Sequence, residues 1–444
     1  MKIVIIGSGT GALFTTLTIK KHNRDAEIIV IDKKDFELLH PCGLPYAIEG
    51  KIDSFDELKS KMPELGQQFF LKHEVQSVNF NEKKIFIKNL ENNEEFDMNY
   101  DRLVIATGSS ALIPPIEGAV EFLNKGLFTI DNFENAFNLS EYVKNSKSAI
   151  VVGAGAIGLE TAVALKKKGL DVTIVEMLDY TLPKAIDKDI SSVLEEHLKS
   201  LGIKLLFNSK LEKVSGTDKV ESVIISGEEI KTDILVMAAG VKPNIDFLRN
   251  TELEIGKWAI LVNEKMLTNI PDVYALGDCV QIKSLIDNRD WMMQLAVAAY
   301  KQGIIVGKNI VGQEKKYPGA LTTFTSKIGD LELAATGFNS HFAGENIIIG
   351  KIKGQTKPEW CHGASEVTVK IIADKESGKI LGAQSIGKNG AAQRINVIST
   401  AIQAGFNIYD LSDIELTYCP EISETYDVLM QAADNAIRKF EVKK

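Results

Sequence analysis

The chain is poor in cysteine. Only Cys42, Cys279, Cys361 and Cys419 occur in 444 residues, too far apart for a secreted disulfide framework or for the paired short spacings of a zinc site. No metal centre is therefore expected, and each sulfur is left with redox chemistry or core packing. An excess of positive charge is missing too. With a formal net charge of -9 there is no broad basic face for nucleic acid or an anionic membrane, although a local pocket for a small anion stays open. No uninterrupted apolar run approaches the roughly 20 residues that cross a bilayer. Met1 to Ile6 lead into a phosphate-binding motif rather than a cleavage site, so a cytoplasmic protein is expected. Low-complexity tracts are absent, and the runs Lys166-Lys167-Lys168 and Lys443-Lys444 read as solvated charge.

A length of 444 residues exceeds one hydrophobic core and predicts two or three domains, and 45% apolar with 25% charged residues is ordinary for a folded enzyme. The apolar run Ile3-Val4-Ile5-Ile6 leads into Gly7-Ser8-Gly9-Thr10-Gly11-Ala12, a helical stretch to about His22, and the strand Glu27 to Asp32. Ala149 to Val152 leads in the same way into Gly153-Ala154-Gly155-Ala156-Ile157-Gly158, a helix to Lys168 stopped by Gly169, and a strand Asp171 to Glu176. Both read as strand, turn, helix, strand. Leu103 to Gly108, Ile234 to Gly240 and Val273 to Cys279 are further buried strands ending in turns, and Ile113-Pro114-Pro115 marks a boundary. After Tyr317-Pro318-Gly319 the texture becomes β-rich, with a helical pattern from Ala391 onward. The fold class expected is α/β, with two Rossmann-like dinucleotide-binding domains and a C-terminal α+β domain.

In such a turn the first glycine permits the bend, the second lets the backbone approach a pyrophosphate, and a small third residue lets helix and strand pack. The helix N-terminus adds free N–H groups and partial positive charge. Gly7, Gly9, Thr10, Gly11 and Ala12 form one such loop, and Gly153, Gly155, Ala156, Ile157 and Gly158 the other. Asp32 and Glu176 end the following strands, where an acid accepts ribose hydroxyls. Met177-Leu178-Asp179 follow Glu176 with no arginine for a 2′-phosphate, which predicts NADH over NADPH at the second site.

Cys42, in His40-Pro41-Cys42-Gly43-Leu44-Pro45-Tyr46, precedes a short helix-like segment, and a lowered thiol pKa is expected there. Together with the duplicated motifs, this resembles the flavin-dependent pyridine nucleotide-disulfide oxidoreductases. The resemblance runs over nearly the whole chain: Gly7 to Ala12, Ala106-Thr107-Gly108, Gly153 to Glu160, and Ala275-Leu276-Gly277-Asp278. It implies FAD at the first fingerprint, with Asp32 and Lys33 at its adenosine, Ala106, Thr107, Gly108 and Gly277 around it, and Asp278 at its ribitol. It implies NADH at the second fingerprint, including Glu160. The implied layout is an FAD domain from 1–112 and 241–316, an NADH domain from 113–240, and a dimerisation domain from 317–444 that makes a homodimer with shared active sites.

Glutathione-reductase-like members carry CxxxxC, but Ala47 stands five after Cys42, and no His–Glu pair follows His362 near the C-terminus. The chain is similar to the single-cysteine branch: CoA-disulfide reductases, NADH oxidases and CoA-dependent NAD(P)H sulfur or polysulfide reductases. That branch implies hydride transfer from NADH to FAD on one flavin face, with Cys42 working on the other. Leu416 to Glu421 resembles the family's Tyr-Ala-Pro-Pro stretch, implying that Tyr418 hydrogen-bonds a leaving thiolate across the dimer. Lys21 and Tyr426 match positions lining a CoA channel. The segment with Met62-Pro63-Glu64 looks short for CoA binding, leaving CoA open. Cys361, near Trp360 and His362, and Cys419 fall where the family places residues beside the other subunit's cysteine, as resolving or metal-binding thiols or as plain interface cysteines. Cys279 reads as packing. The expected acceptor is a small-molecule disulfide, persulfide or polysulfide. O2, through a Cys42 sulfenic acid, and a protein electron-transfer partner are the alternatives.

Overall fold

The computed structural model describes residues 1–442; Lys443 and Lys444 lie outside them. Strands Val273–Ala275, Arg102–Ile105, Lys2–Ile6, Glu27–Asp32 and Gln68–Leu71 form, in that order, a parallel five-stranded sheet. Continuous Ile/Val runs such as Ile3-Val4-Ile5 are buried outright, as a parallel sheet covered on both faces requires. The strand at 273–275 crosses back from far along the chain, so two stretches of sequence build one unit. Helix Thr10–His22 follows the first turn and carries Lys20 and Lys21 in its last turn, cations that suit a helix C-terminus. It packs closely on helix Ala296–Ile310, where a Cβ added at Gly303 would lie 2.5 Å from the Gly11 carbonyl oxygen.

The second parallel sheet runs Leu127–Phe128, Ile234–Met237, Ser148–Val152, Asp171–Val175, Lys204–Leu206. In both sheets the fingerprint strand is central and the next strand lies on one side of it, so the sequence repeat is a repeat of topology. Helix Ala156–Lys167 follows the second turn, within one residue of expectation at each end.

The C-terminal sheet is antiparallel, in the order Phe324–Ile328, Leu331–Gly337, Ile380–Gly387, Glu366–Asp374, Ile347–Gln355. Helices Ala391–Ala404 and Val428–Glu441 share its core through Ile398, Ile402, Leu429 and Ala433. Buried Lys370 on this sheet holds Asp187 and Asp189, both at 2.7 Å, tying it to helix Lys188–Ser200 of the second unit. Lys167 is not simply solvated: its Nζ lies 2.6 Å from Glu49, on the short helix after Cys42.

Candidate active site

Gly7 has φ +100° and Gly153 φ +107°, and a Cβ at either would sit 2.3 Å from a carbonyl oxygen, of Ala106 and Ala238 respectively. These turns admit only glycine. At Gly9 and Gly155 an added Cβ would meet nothing within 4 Å. Open space over the second glycine of each loop is what a pyrophosphate needs, so both loops fit a dinucleotide. Gly11 faces Leu276, Gly158 faces the Gly153 carbonyl, and Ala12 is buried. Thr10 and Ala156 open the two helices, and Ile157 is half-exposed beside Ala156.

Asp32 accepts from Ser8 N (2.7 Å), Ser8 Oγ (2.9 Å), Lys34 N (2.9 Å) and Lys34 Nζ (2.9 Å). Burial pushes its carboxyl up, but the Lys34 charge and these hydrogen bonds outweigh burial and hold it below the usual value. Lys33, expected at this point, instead turns outward to Glu74 at 2.6 Å. The strand ends at Asp32 and the chain bends there, which turns the amide and the ammonium of Lys34 back onto the Asp32 carboxylate. Sequence reasoning missed Lys34 and Ser8; Ser8 filling the open position between the two glycines was the available signal. Glu176 repeats the arrangement, accepting from Ala154 N (2.8 Å) and Leu178 N (2.9 Å).

The Ala106-Thr107-Gly108 turn, with Gly108 at φ +65°, is braced by Asn244, whose Nδ2 donates to Thr107 O at 3.0 Å. Gly277 N donates to buried Gln302 at 2.7 Å, fixing the turn that presents Asp278. Asp278 accepts from Ser109 Oγ at 2.7 Å, and burial pushes its carboxyl up.

Cys42 lies in a single 3-10 turn, Pro41–Gly43, that runs into helix Leu44–Glu49 with proline in its first turn. A Cβ at Gly43 would lie 2.2 Å from Leu58, so the turn closes tightly there. Leu44, Ala47 and Ile48 are buried in the core of the second nucleotide unit. Cys42 therefore sits between the two units. Its thiol is exposed, yet the surrounding protein mass and then the charges of Glu160 and Asp278 push its pKa up. This differs from the expected lowering: burial, and after it the charges of Glu160 and Asp278, outweigh the small positive potential of a six-residue helix. Glu160, on the second fingerprint helix, accepts from Ser326 Oγ of the C-terminal sheet at 2.5 Å, and burial raises its pKa. Tyr46 is raised by burial, then by Glu160, Glu49 and Cys42.

The remaining expected residues lie apart from this cluster. Tyr418 is half-exposed and its hydroxyl makes no hydrogen bond among the described residues. Tyr426 is half-exposed and donates its hydroxyl to Asp434. Lys21 is exposed at its helix end. Cys279 is buried, its sulfur 3.1 Å from Leu276 O. Cys361 is covered and Cys419 exposed, and among the described residues no three His, Cys, Asp or Glu side chains are placed to hold a metal. No described helix is long and apolar enough to cross a membrane.

Residues 1–303 match the family model "Pyridine nucleotide-disulphide oxidoreductase", and residues 323–429 match its "dimerisation domain". The chain belongs to the pyridine nucleotide-disulphide oxidoreductase family. Among individual proteins, it is 39% identical over 449 residues to "NADH oxidase" of Methanocaldococcus jannaschii, with 99% of each chain covered. It is 33% identical to "NAD(P)H sulfur oxidoreductase (CoA-dependent)" of Pyrococcus furiosus, with 97% of this chain and 98% of that one covered. The solved structure of a "NAD-Dependent Persulfide Reductase from A. fulgidus" superposes with a TM-score of 0.95 at 32% identity, covering 99% of this chain and 84% of that one.

Proposed function

We propose that the protein is an FAD-dependent oxidoreductase that passes electrons from NADH through Cys42 to a disulfide or sulfane-sulfur acceptor. The observation that carries this reading is an exposed thiol, Cys42, at the head of a short helix packed against the second fingerprint helix, in a chain whose two glycine loops are both open over their second glycine. Bound flavin supplies the two-electron link between pyridine nucleotide and sulfur. Gly9 and Gly155 admit the two pyrophosphates, Asp32 and Glu176 receive ribose hydroxyls, and Asp278 holds the ribitol. The Cys42 thiolate attacks one sulfur of an acceptor RSSR, forming a mixed disulfide and releasing RS⁻, and two electrons then return Cys42 to the thiolate and free the second RS⁻. Tyr418, with its hydroxyl uncommitted, donates to that leaving sulfur from the other subunit of a homodimer.

NADH is favoured over NADPH because Glu176, at the end of its strand, accepts from Ala154 N and Leu178 N and is followed by Met177-Leu178-Asp179 with no arginine for a 2′-phosphate. CoA is the acceptor-bearing group to test first, on the CoA-dependent name of the P. furiosus relative. The deciding experiment is anaerobic NADH consumption with polysulfide or CoA disulfide as sole acceptor, run beside Cys42→Ser. Turnover that the substitution abolishes supports the reading; turnover that survives it refutes Cys42 as the carrier. The name of the M. jannaschii relative favours O2 as the second acceptor to test.

A further inference from the structure

Two loops of the C-terminal unit lie side by side, and each carries a cysteine that the reaction above does not use. One spans 356–365, between strands Ile347–Gln355 and Glu366–Asp374; the other spans 413–427, ahead of helix Val428–Glu441. Buried Arg394 joins them at their stems. Its Nη2 donates to Thr356 O at 3.4 Å and to Asp427 Oδ2 at 2.6 Å, and its Nε to Asp427 Oδ1 at 2.9 Å. Farther out, Lys357 Nζ reaches Glu421 O at 3.2 Å and Glu421 Oε2 at 3.6 Å.

Both cysteines sit in tight local turns at this junction. Cys361 N donates to Pro358 O at 2.8 Å, while Cys419 O accepts from Ile422 N at 2.8 Å and Ser423 N at 2.9 Å. Lys357 is four residues before Cys361, and Glu421 is two after Cys419, so the ion pair brings the two sulfur-bearing turns together. Both thiols are free, and with no third ligand among the described residues they do not make a metal site.

We infer that Cys361 and Cys419 are a second redox-active pair, which closes to an intrachain disulfide on meeting a small-molecule disulfide. The inference rests on the proposed function only for the class of oxidant. The order of steps follows from exposure within one chain, where Cys419 is exposed and Cys361 is covered. The Cys419 thiolate attacks RSSR, its sulfur bonding one R–S group while the other leaves as RSH. The Cys361 sulfur then attacks the Cys419 sulfur of that mixed disulfide and expels the second RSH. Two protein thiols are oxidised by two electrons, and one RSSR is reduced to two RSH. The Cys361–Cys419 bond replaces a solvent-facing ion pair as the outer tie between the loops and holds Tyr418, the residue before Cys419, in one place.

The test uses the full-length, flavin-loaded Cys42→Ser protein, reduced, desalted and exposed to cystamine without oxygen. Of the three cysteines then left, two thiols should vanish together with no cystamine mass retained. A digest should yield one linked pair of peptides containing Cys361 and Cys419, absent from Cys361→Ser and from Cys419→Ser. Persistence of both thiols, or a lasting cystamine adduct on Cys419, overturns the inference. Because Cys42 is absent from this protein, the outcome is independent of the acceptor assay that tests the main reading.

Discussion

Cys42 and Glu160 are coupled through charge, and that coupling has a direction. Burial, Glu160 and Asp278 all favour the protonated thiol of Cys42, so removing the Glu160 charge should move its titration to lower pH. Glu160→Gln is expected to shift the midpoint of Cys42 alkylation by iodoacetamide downward; an unchanged or raised midpoint would contradict the placement. Because Glu160 is itself pushed up by burial, the difference between the two proteins should be widest above the Glu160 titration and shrink below it. Cys42→Ser should lower acceptor turnover by about 100-fold or more, as loss of a nucleophile does, while NADH still bleaches the flavin absorbance in a stopped-flow trace.

At the scale of the element, the two glycine loops separate folding from binding. Gly9→Ala and Gly155→Ala place a methyl group in open space, so each variant should stay within about 1 kcal/mol of the parent in stability. Gly9→Ala should nevertheless purify with reduced flavin content, and Gly155→Ala should keep its flavin but show a raised KM for NADH. Gly7→Ala, forced against the Ala106 carbonyl at φ +100°, should give little folded protein; normal expression would count against the strain. These loops were legible because a strand, a tight turn, a helix and an acid recur in fixed order. Lys34 was not, because two adjacent lysines look alike in sequence and only the backbone decides which one returns to Asp32. The thiol environment was also hidden, since Glu160 and Asp278 stand 118 and 236 positions from Cys42 and meet it only through tertiary folding. Ser326 and Ser109 are serines of no motif, and nothing in their surroundings marks them as partners of Glu160 and Asp278.

Over the whole molecule, one buried ion pair, Lys370–Asp187, and two partly exposed pairs of Asp189, with Lys370 and Lys351, join the C-terminal sheet to the second nucleotide unit. Lys370→Met leaves Asp187 and Asp189 without their shared cation and should cost roughly 3 kcal/mol, the scale of breaking a buried pair; a denaturant midpoint unchanged from the parent would remove this pair from the account. Acid should act on related groups. Asp32, Asp189 and Asp233 are held below their usual 3.8 despite burial, by lysine charges or by backbone and hydroxyl donors. Their stabilisation is full above that value and fades as pH falls through the lower folded values, so the thermal midpoint should begin to drop near pH 4. Trp360 and Ile422, each 76% exposed, lie in the stretch that matches the dimerisation-domain model. Ile422→Asp should shift the protein from dimer toward monomer in sedimentation.

The ion pair between Glu49 and Lys167 carries a consequence for how the two halves of the reaction keep time. The helix that begins two residues after Cys42 is fastened, by this pair and by Leu44, Ala47 and Ile48, to the helix that opens on the second fingerprint. The turn that carries Cys42 and the second fingerprint helix therefore share one mechanical mounting, and a shift of that helix would be passed on to the thiol.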